Sequence, residues 1–230
     1  MPDPLHVVFL LFPEVTQLDL TGPAQVLSRL GNAQLDFVAK AREPVTTDAG
    51  FAILPTATFA DVTAADVLCV PGGMGVTAAI EDGATMAWVA RIGAEARWVT
   101  SVCTGSLILG AAGLLRGYRA TSHWAWRELL PLFGAEPVAA RTVVDRNRVT
   151  GGGVTAGIDF ALTLMAELRG ADHARMVQLG LEYDSAPPFD AGSPERAGPE
   201  LVAAFQRRAD RLAPARVADL RAAAARRGFS

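Results

Sequence analysis

From Val7 to Phe12 the chain is apolar without alternation, and this run limits the fold more than any other stretch. A strand with one wet face alternates apolar and polar side chains, whereas one that is apolar throughout must be covered on both faces. Val67 to Val70 and Trp98 to Val102 are short and mostly apolar in the same way. Between these runs, apolar residues recur at helical spacing, as in Ala24, Leu27 and Leu30, or Met86, Val89 and Ile92. Buried strands alternating with helices predict an α/β protein: a three-layer sandwich around a largely parallel sheet.

The remaining elements follow from punctuation. Strands are expected at Gln34 to Ala39 and, briefly, at Arg119 to Thr121. A hairpin over Val45 to Leu54, broken at Asp48-Ala49-Gly50, is expected at a sheet edge, and a second within Val138 to Thr150. Thr21 or Gly22 can cap the first helix, with Pro23 in its first turn. One crossover helix is expected over Glu81 to Arg97, and another helix from Ser122 through Leu132. The helices Ile158 to Leu168 and Ala171 to Tyr183 precede an irregular stretch, Ser185 to Pro199. These signals divide the chain into one α/β catalytic domain, 1–198, and a helical extension, 199–230, packed on or beside it.

Composition narrows the function classes. With 230 residues, half of them hydrophobic, the chain is long enough for one well-packed core. A net charge of −3 gives no electrostatic case for nucleic acid or an anionic membrane. No apolar stretch approaches the ~20 residues of a membrane span. Two cysteines, Cys69 and Cys103, make no disulfide framework and suit a reducing compartment, so the expected location is cytoplasmic.

Cys103 stands where the strand Trp98–Val102 meets a helical run, Thr104 to Ala112. A cysteine on such a joint faces the N–H groups that open the helix and the positive end of its dipole, which favours the thiolate. The following Thr-Gly pair keeps the turn unobstructed, as in the nucleophile elbow of hydrolases. The alternative is a small buried hydrophobe, the usual fate of a free cysteine. Two other strand ends could lie beside it: Asp19 after the first, and Gly72-Gly73 after Val67–Val70. Asp19, between two leucines, reads either as a partly desolvated acid or as a helix cap. Pro71-Gly72-Gly73-Met74-Gly75 reads either as a ligand-approaching loop or as a tight turn; no Lys-Ser or Lys-Thr follows to make it a phosphate loop. Thr150-Gly151-Gly152-Gly153-Val154 is a second glycine-led turn into a helix. His123 suits a cap or a packing role, and no cluster has metal-ligand spacing.

Together, Leu11-Phe12-Pro13-Glu14-Val15, Gln17 to Pro23, Pro71-Gly72-Gly73, Thr100 to Ser106 and Thr150 to Gly153 resemble the ThiJ/PfpI group of the class I glutamine amidotransferase-like superfamily. Within that group the likeness is to the isocyanide hydratases, and it runs from Val7 to Ser193-Pro194. It implies a flavodoxin-like fold, a homodimer, and addition of water to a small apolar isocyanide through a cysteine thioimidate. It also implies Cys103 as nucleophile, Asp19 as proton carrier and Thr104 as their hydrogen-bonding neighbour. Gly72, Gly73, Gly152 and Val154 would contact substrate or intermediate, with no metal or organic cofactor. Two departures separate the chain from neighbouring families: Thr104 follows the cysteine where others have a histidine, and Asp19 stands where others carry glutamate. The competing readings are a glyoxalase- or amidase-type enzyme and a ligand- or redox-sensing domain like those fused to AraC-type regulators.

Overall fold

The computed structural model describes residues 4–229. Strand β1 (Leu5–Leu10) leads to helix α1 (Gln17–Leu27), then β2 (Ala33–Ala39), β3 (Val45–Thr46), β4 (Ala52–Ile53), β5 (Ala57–Thr58) and β6 (Val67–Val70). Helices α2 (Val76–Glu81) and α3 (Gly83–Glu95) precede β7 (Trp98–Val102), α4 (Gly105–Ala111) and β8 (Arg119–Ala120). A 3-10 helix, Arg127–Phe133, is followed by β9 (Glu136–Pro137), β10 (Thr142–Asp145) and β11 (Arg148–Gly151). The chain closes with α5 (Ala156–Arg169), α6 (Ala171–Gly180), α7 (Pro194–Ala197), α8 (Pro199–Leu212) and α9 (Arg216–Arg226).

Seven strands form the central sheet in the order β10-β11-β7-β6-β1-β2-β5, parallel throughout except for β10. Helices α1, α5 and α6 pack together, while α2, α3, α4, the 3-10 helix and α9 pack as another layer. Between them, Val7 to Leu10 of β1 and all of β6 are buried, as apolar runs covered on both faces must be. From β1 the chain steps to β2 on one side, then returns to β6 and β7 on the other. The order therefore reverses between β1 and β6, where an open α/β sheet leaves a crevice at its strand ends.

The structure departs from the sequence expectations in several places. Helix α1 begins at Gln17 behind Thr16, so Pro23 lies inside it and Asp19 sits in its first turn as a buried side chain. Neither Thr21 nor Gly22 caps the helix, and Asp19 does not either. The expected crossover helix is α3, which starts at Gly83 because the Asp82 carboxylate caps it by accepting from the Thr85 backbone N–H and hydroxyl; the short α2 before it was not expected. The Val45–Leu54 hairpin forms its own two-stranded sheet, bridged to Val15 through Thr47, and β5 forms the edge of the central sheet in its place. After Ser122 the helix is reduced to the 3-10 segment, which contains Pro131, a residue without the N–H that an α-helix requires.

Candidate active site

The ends of β7, β6 and β1, neighbours in the sheet, bring Cys103, Gly72 and Asp19 together. Cys103 is held at φ 56°, a left-handed conformation that costs an L-residue energy and persists only where its surroundings fix it. Those surroundings grip both sides of the residue. Its N–H donates to the Gly151 and Gly152 carbonyls at 3.0 and 2.7 Å, and its carbonyl accepts from the Ser106 and Ser122 hydroxyls at 3.1 and 3.0 Å. Gly105 lets the elbow close: a Cβ there would stand 2.1 Å from the Val70 carbonyl oxygen.

Asp19 is almost wholly buried and accepts from the Gly72 N–H through Oδ2 at 2.9 Å. Its Oδ1 makes no hydrogen bond, and the Cys103 thiol is a polar neighbour of the carboxyl. The Gly73 N–H donates to Thr104 Oγ1 at 3.1 Å, which leaves the Thr104 hydroxyl hydrogen to point elsewhere; the Cys103 sulfur is within its reach. Gly72 has to be glycine, since a Cβ would stand 2.5 Å from Thr104 Oγ1, 2.6 Å from the Thr104 nitrogen and 3.0 Å from Asp19 Oδ2.

Burial is the largest effect on the charges of this pair. It pushes the Asp19 carboxyl up to about 7, against the Gly72 and Cys103 hydrogen bonds that favour the anion. It also pushes the Cys103 thiol well above its ordinary value, and the Asp19 charge adds to that rise, while the Thr104 N–H and hydroxyl oppose it. A helix opening alone does not therefore yield a free thiolate here. Two anions do not share this pocket: the thiol keeps its proton while the carboxyl titrates near 7.

A cavity of about 440 Å³ opens beside the elbow, lined by Ser122, His123, Trp124, Gly152, Gly153 and Val154 among others. Cys103 lies beneath this wall, tied to it through Ser122 and Gly152. Among the described residues the Val154 N–H has no acceptor. His123 stacks on Phe205 of α8 at 5.8 Å between ring centroids, and its Nδ1 accepts from the Ala125 N–H at 3.3 Å. Burial, then the nearby Arg216 charge, lower its pKa, and its contacts make it part of the wall and the turn; among the described residues no hydrogen bond joins it to Cys103.

This constellation has known counterparts. The model of the DJ-1/PfpI family matches residues 5–167, from β1 into α5. The chain belongs to the DJ-1/PfpI family. A member of known activity, the isonitrile hydratase of Pseudomonas putida, is 56% identical over 89% of this chain and 90% of its own. The crystal structure of a ThiJ/PfpI family protein from Pseudomonas syringae superposes with a TM-score of 0.89, at 48% identity, over 97% of this chain and 91% of that one. The transcriptional regulator GbdR of Pseudomonas aeruginosa is 31% identical over 75% of this chain, but that stretch is only 48% of the regulator.

In this DJ-1/PfpI member the residues singled out from sequence fall into two groups. Cys103, Asp19, Thr104, Gly72 and Gly73 form one connected network, whereas Gly152 and Val154 line the adjoining cavity. Gly73 was expected to contact substrate or intermediate; its N–H is engaged by Thr104 Oγ1. Cys69 lies inside β6, buried, with the Thr100 hydroxyl as its partner. Among the described residues, no group of three His, Cys, Asp or Glu side chains could hold a metal ion, and no helix is long and apolar enough to cross a membrane. Sequence reasoning missed Ser122, which fixes the elbow, and Arg216, which reaches the Gly73-Met74 carbonyls from α9. No local motif marks Ser122. A signal for Arg216 was present: it lies in line with Leu220, Ala223 and Ala224 on the buried stripe of its helix.

Proposed function

We propose that this protein is an isocyanide hydratase, converting R–N≡C and water to R–NH–CHO in the cytoplasm. The observation that carries the reading is the elbow cysteine set beside a buried carboxyl, in a chain 56% identical to an isonitrile hydratase. The reaction needs a nucleophile for the terminal carbon and a nearby acid that later becomes a base, and the pair combines both. Once the Cys103 proton has passed to the Asp19 carboxylate, Sγ bonds to the isocyanide carbon while Asp19 protonates that carbon, leaving a thioimidate, R–N=CH–S. The Asp19 carboxylate then takes a proton from water as the hydroxyl adds to carbon, and passes it to the nitrogen. Collapse of the tetrahedral species breaks the C–S bond, returns the thiolate, and delivers the hydroxyl proton to Asp19. Every atom of water ends in the formamide, and the chemistry needs no cofactor.

The surrounding groups fit these roles. Asp19 Oδ1, free of other hydrogen bonds, is the oxygen open to proton exchange, while Oδ2 is held by Gly72. In this reading Thr104 and the Val154 N–H stabilise sulfur or a developing anion, which the Thr104 hydrogen bond to the thiol and the Val154 place on the cavity wall support. The cavity beside them has the volume for a small organic side group. The reading includes a homodimer, for which the exposed Met176 and Leu179 of α6 offer apolar surface. The test is formamide production from an alkyl and an aryl isocyanide by the purified enzyme and its Cys103→Ala variant. Turnover by the first and none by the second supports the reading. An inert wild type whose Cys103 still alkylates or oxidises overturns it in favour of sensing, a role the likeness to a regulator keeps in view.

A further inference from the structure

Arg216 is buried, only 6% exposed, yet no carboxylate pairs with it among the described residues. Its Nη2 donates to the Met74 carbonyl at 2.9 Å and reaches the Gly73 carbonyl at 3.4 Å and the Met74 sulfur at 3.6 Å. The guanidinium lies over the Trp126 ring, 4.9 Å from its centroid. Helix α9 is anchored to deliver it there: Leu220, Ala223 and Ala224 are buried, Arg226 pairs with Glu81 of α2, and Arg227 donates to the Ile80 carbonyl at 2.7 Å. A buried cation without a counter-ion is costly. Carbonyl dipoles and a ring face offset part of that cost, and the remaining compensation must come from an anion nearby.

The charged and titratable groups around Arg216 identify that anion. On α2, Glu81 is engaged with Arg226; on α9 itself, Asp219 is exposed. From the loop after β8, His123 is neutral and its pKa is lowered by Arg216. Burial lowers the pKa of Arg216 itself, and Cys103 of the β7–α4 elbow opposes that fall, favouring the charged guanidinium. The negative charge shared by Cys103 and Asp19 is thus the remaining candidate. Arg216 also holds the two peptides after Gly73, whose own N–H binds Thr104 and whose neighbour Gly72 binds Asp19.

We propose that Arg216 is a positioning residue of the active site: it locks the Gly72–Met74 loop from behind and supplies the fixed positive charge that balances the anion shared by Cys103 and Asp19. Its role in turnover rests on the hydratase reading; its effect on the cysteine does not. It reaches the site from outside the family-matched residues, so the C-terminal extension completes a centre built by the core fold.

The test measures the rate of Cys103 alkylation by iodoacetamide against pH for the wild type and R216K, R216Q and R216M, with kcat and KM for an isocyanide alongside. Loss of the charge in R216Q and R216M should raise the alkylation midpoint by about one pH unit. R216K, keeping charge but not the fork, should hold the midpoint near wild type. In turnover, kcat should fall about tenfold or more in the neutral variants with KM little changed, and lysine should recover part of it. A midpoint unmoved in R216Q and R216M overturns the proposal, as does an equal shift in R216K. If R216M fails to fold, the lysine and glutamine variants decide alone. Should no isocyanide be turned over, the alkylation profile still decides the role of Arg216 while the hydratase reading fails separately.

Discussion

The two cysteines belong to adjacent strands, one inside β6 and one just past the end of β7, are both buried and free, and yet are chemically unlike. Cys69 occupies an ordinary position inside β6, its sulfur taking a hydrogen bond from the Thr100 hydroxyl at 3.2 Å; burial pushes its thiol up to about 12. Cys103 is one residue past β7, turned to φ 56°, with a carboxyl, a hydroxyl and a helix opening around it. Burial raises both thiols, so neither exposure nor desolvation separates them. What separates them is a place for the proton to go. Cys69 has only a hydroxyl that donates to it, whereas Cys103 has Asp19, whose carboxyl near 7 exchanges a proton around neutral pH. The strained turn creates the difference by lifting the side chain out of the sheet into the crevice between strand ends.

The strongest way to break this contrast is to remove each sulfur. Cys103→Ala should abolish formamide formation, a loss of about 10⁴-fold or more, because the covalent route disappears. Cys69→Ala should not do so, and comparable loss in both would place the chemistry elsewhere.

Asp19→Asn tests whether the proton partner is what makes Cys103 special. The amide cannot donate and then accept a proton, so kcat should fall by about 10²–10⁴-fold. Stability should move the other way. The native carboxyl titrates near 7 against 3.8 when exposed, so between these values the native state holds a proton that the unfolded chain has lost. Unfolding free energy therefore falls as pH rises through that window, by up to about 4 kcal/mol at pH 8. The asparagine variant escapes that loss, so its Tm should exceed the wild type's at pH 8 and approach it at pH 4. A wild-type Tm flat across this range would mean the carboxyl is not desolvated as drawn.

Gly72→Ala sharpens the comparison without touching either cysteine. The new Cβ cannot coexist with Thr104 Oγ1 and nitrogen at 2.5 and 2.6 Å, so Thr104 and the loop must separate. Displacing Thr104 and Asp19 by a fraction of an ångström should lower kcat about 10- to 100-fold. The Cys103 alkylation midpoint should shift with it. An active Gly72→Ala enzyme would show that the Asp19–Gly72 and Thr104–Gly73 bonds are incidental.

Much of this was legible before any coordinates. Unbroken apolar runs at Val7–Phe12 and Val67–Val70 could only be strands covered on both faces, and the order of elements then placed Asp19, Gly72 and Cys103 at strand ends. What sequence could not supply was the exact start of α1. A helix beginning at Gln17 turns Asp19 from a plausible cap into a buried acid; Thr16 with Asp19 three residues on has the pattern of a capping box, but the Thr16 hydroxyl donates to Asp48 and makes no cap bond. Nor could local pattern show that burial would overcome the helix dipole at Cys103, because that depends on how α4, β6 and α1 close around one sulfur. Arg216 was hidden by sequence distance: it reaches residues 73 and 74 from more than 140 positions away. Docking of α9 against α2 brings it there, and only its alignment with an apolar stripe marked it as different from the other C-terminal arginines.

The smallest effect belongs to Cys69, and it tests the comparison from the inert side. Cys69→Ala removes one buried sulfur from a packed strand and leaves a small void, worth about 1 kcal/mol of stability. The Thr100 hydroxyl keeps its other bond, to the Leu68 carbonyl at 2.9 Å, so no buried donor is orphaned. Turnover should stay within about twofold of wild type, since β6 contributes to the site through the Gly72 backbone and not through this side chain. Thiol labelling of the folded protein should likewise modify one cysteine, and mass spectrometry of the digest should find it at Cys103. Labelling at Cys69 at a similar rate would require β6 to open as readily as the elbow reacts. The distinction would then reflect local unfolding, and the proton partner would no longer be needed to explain it.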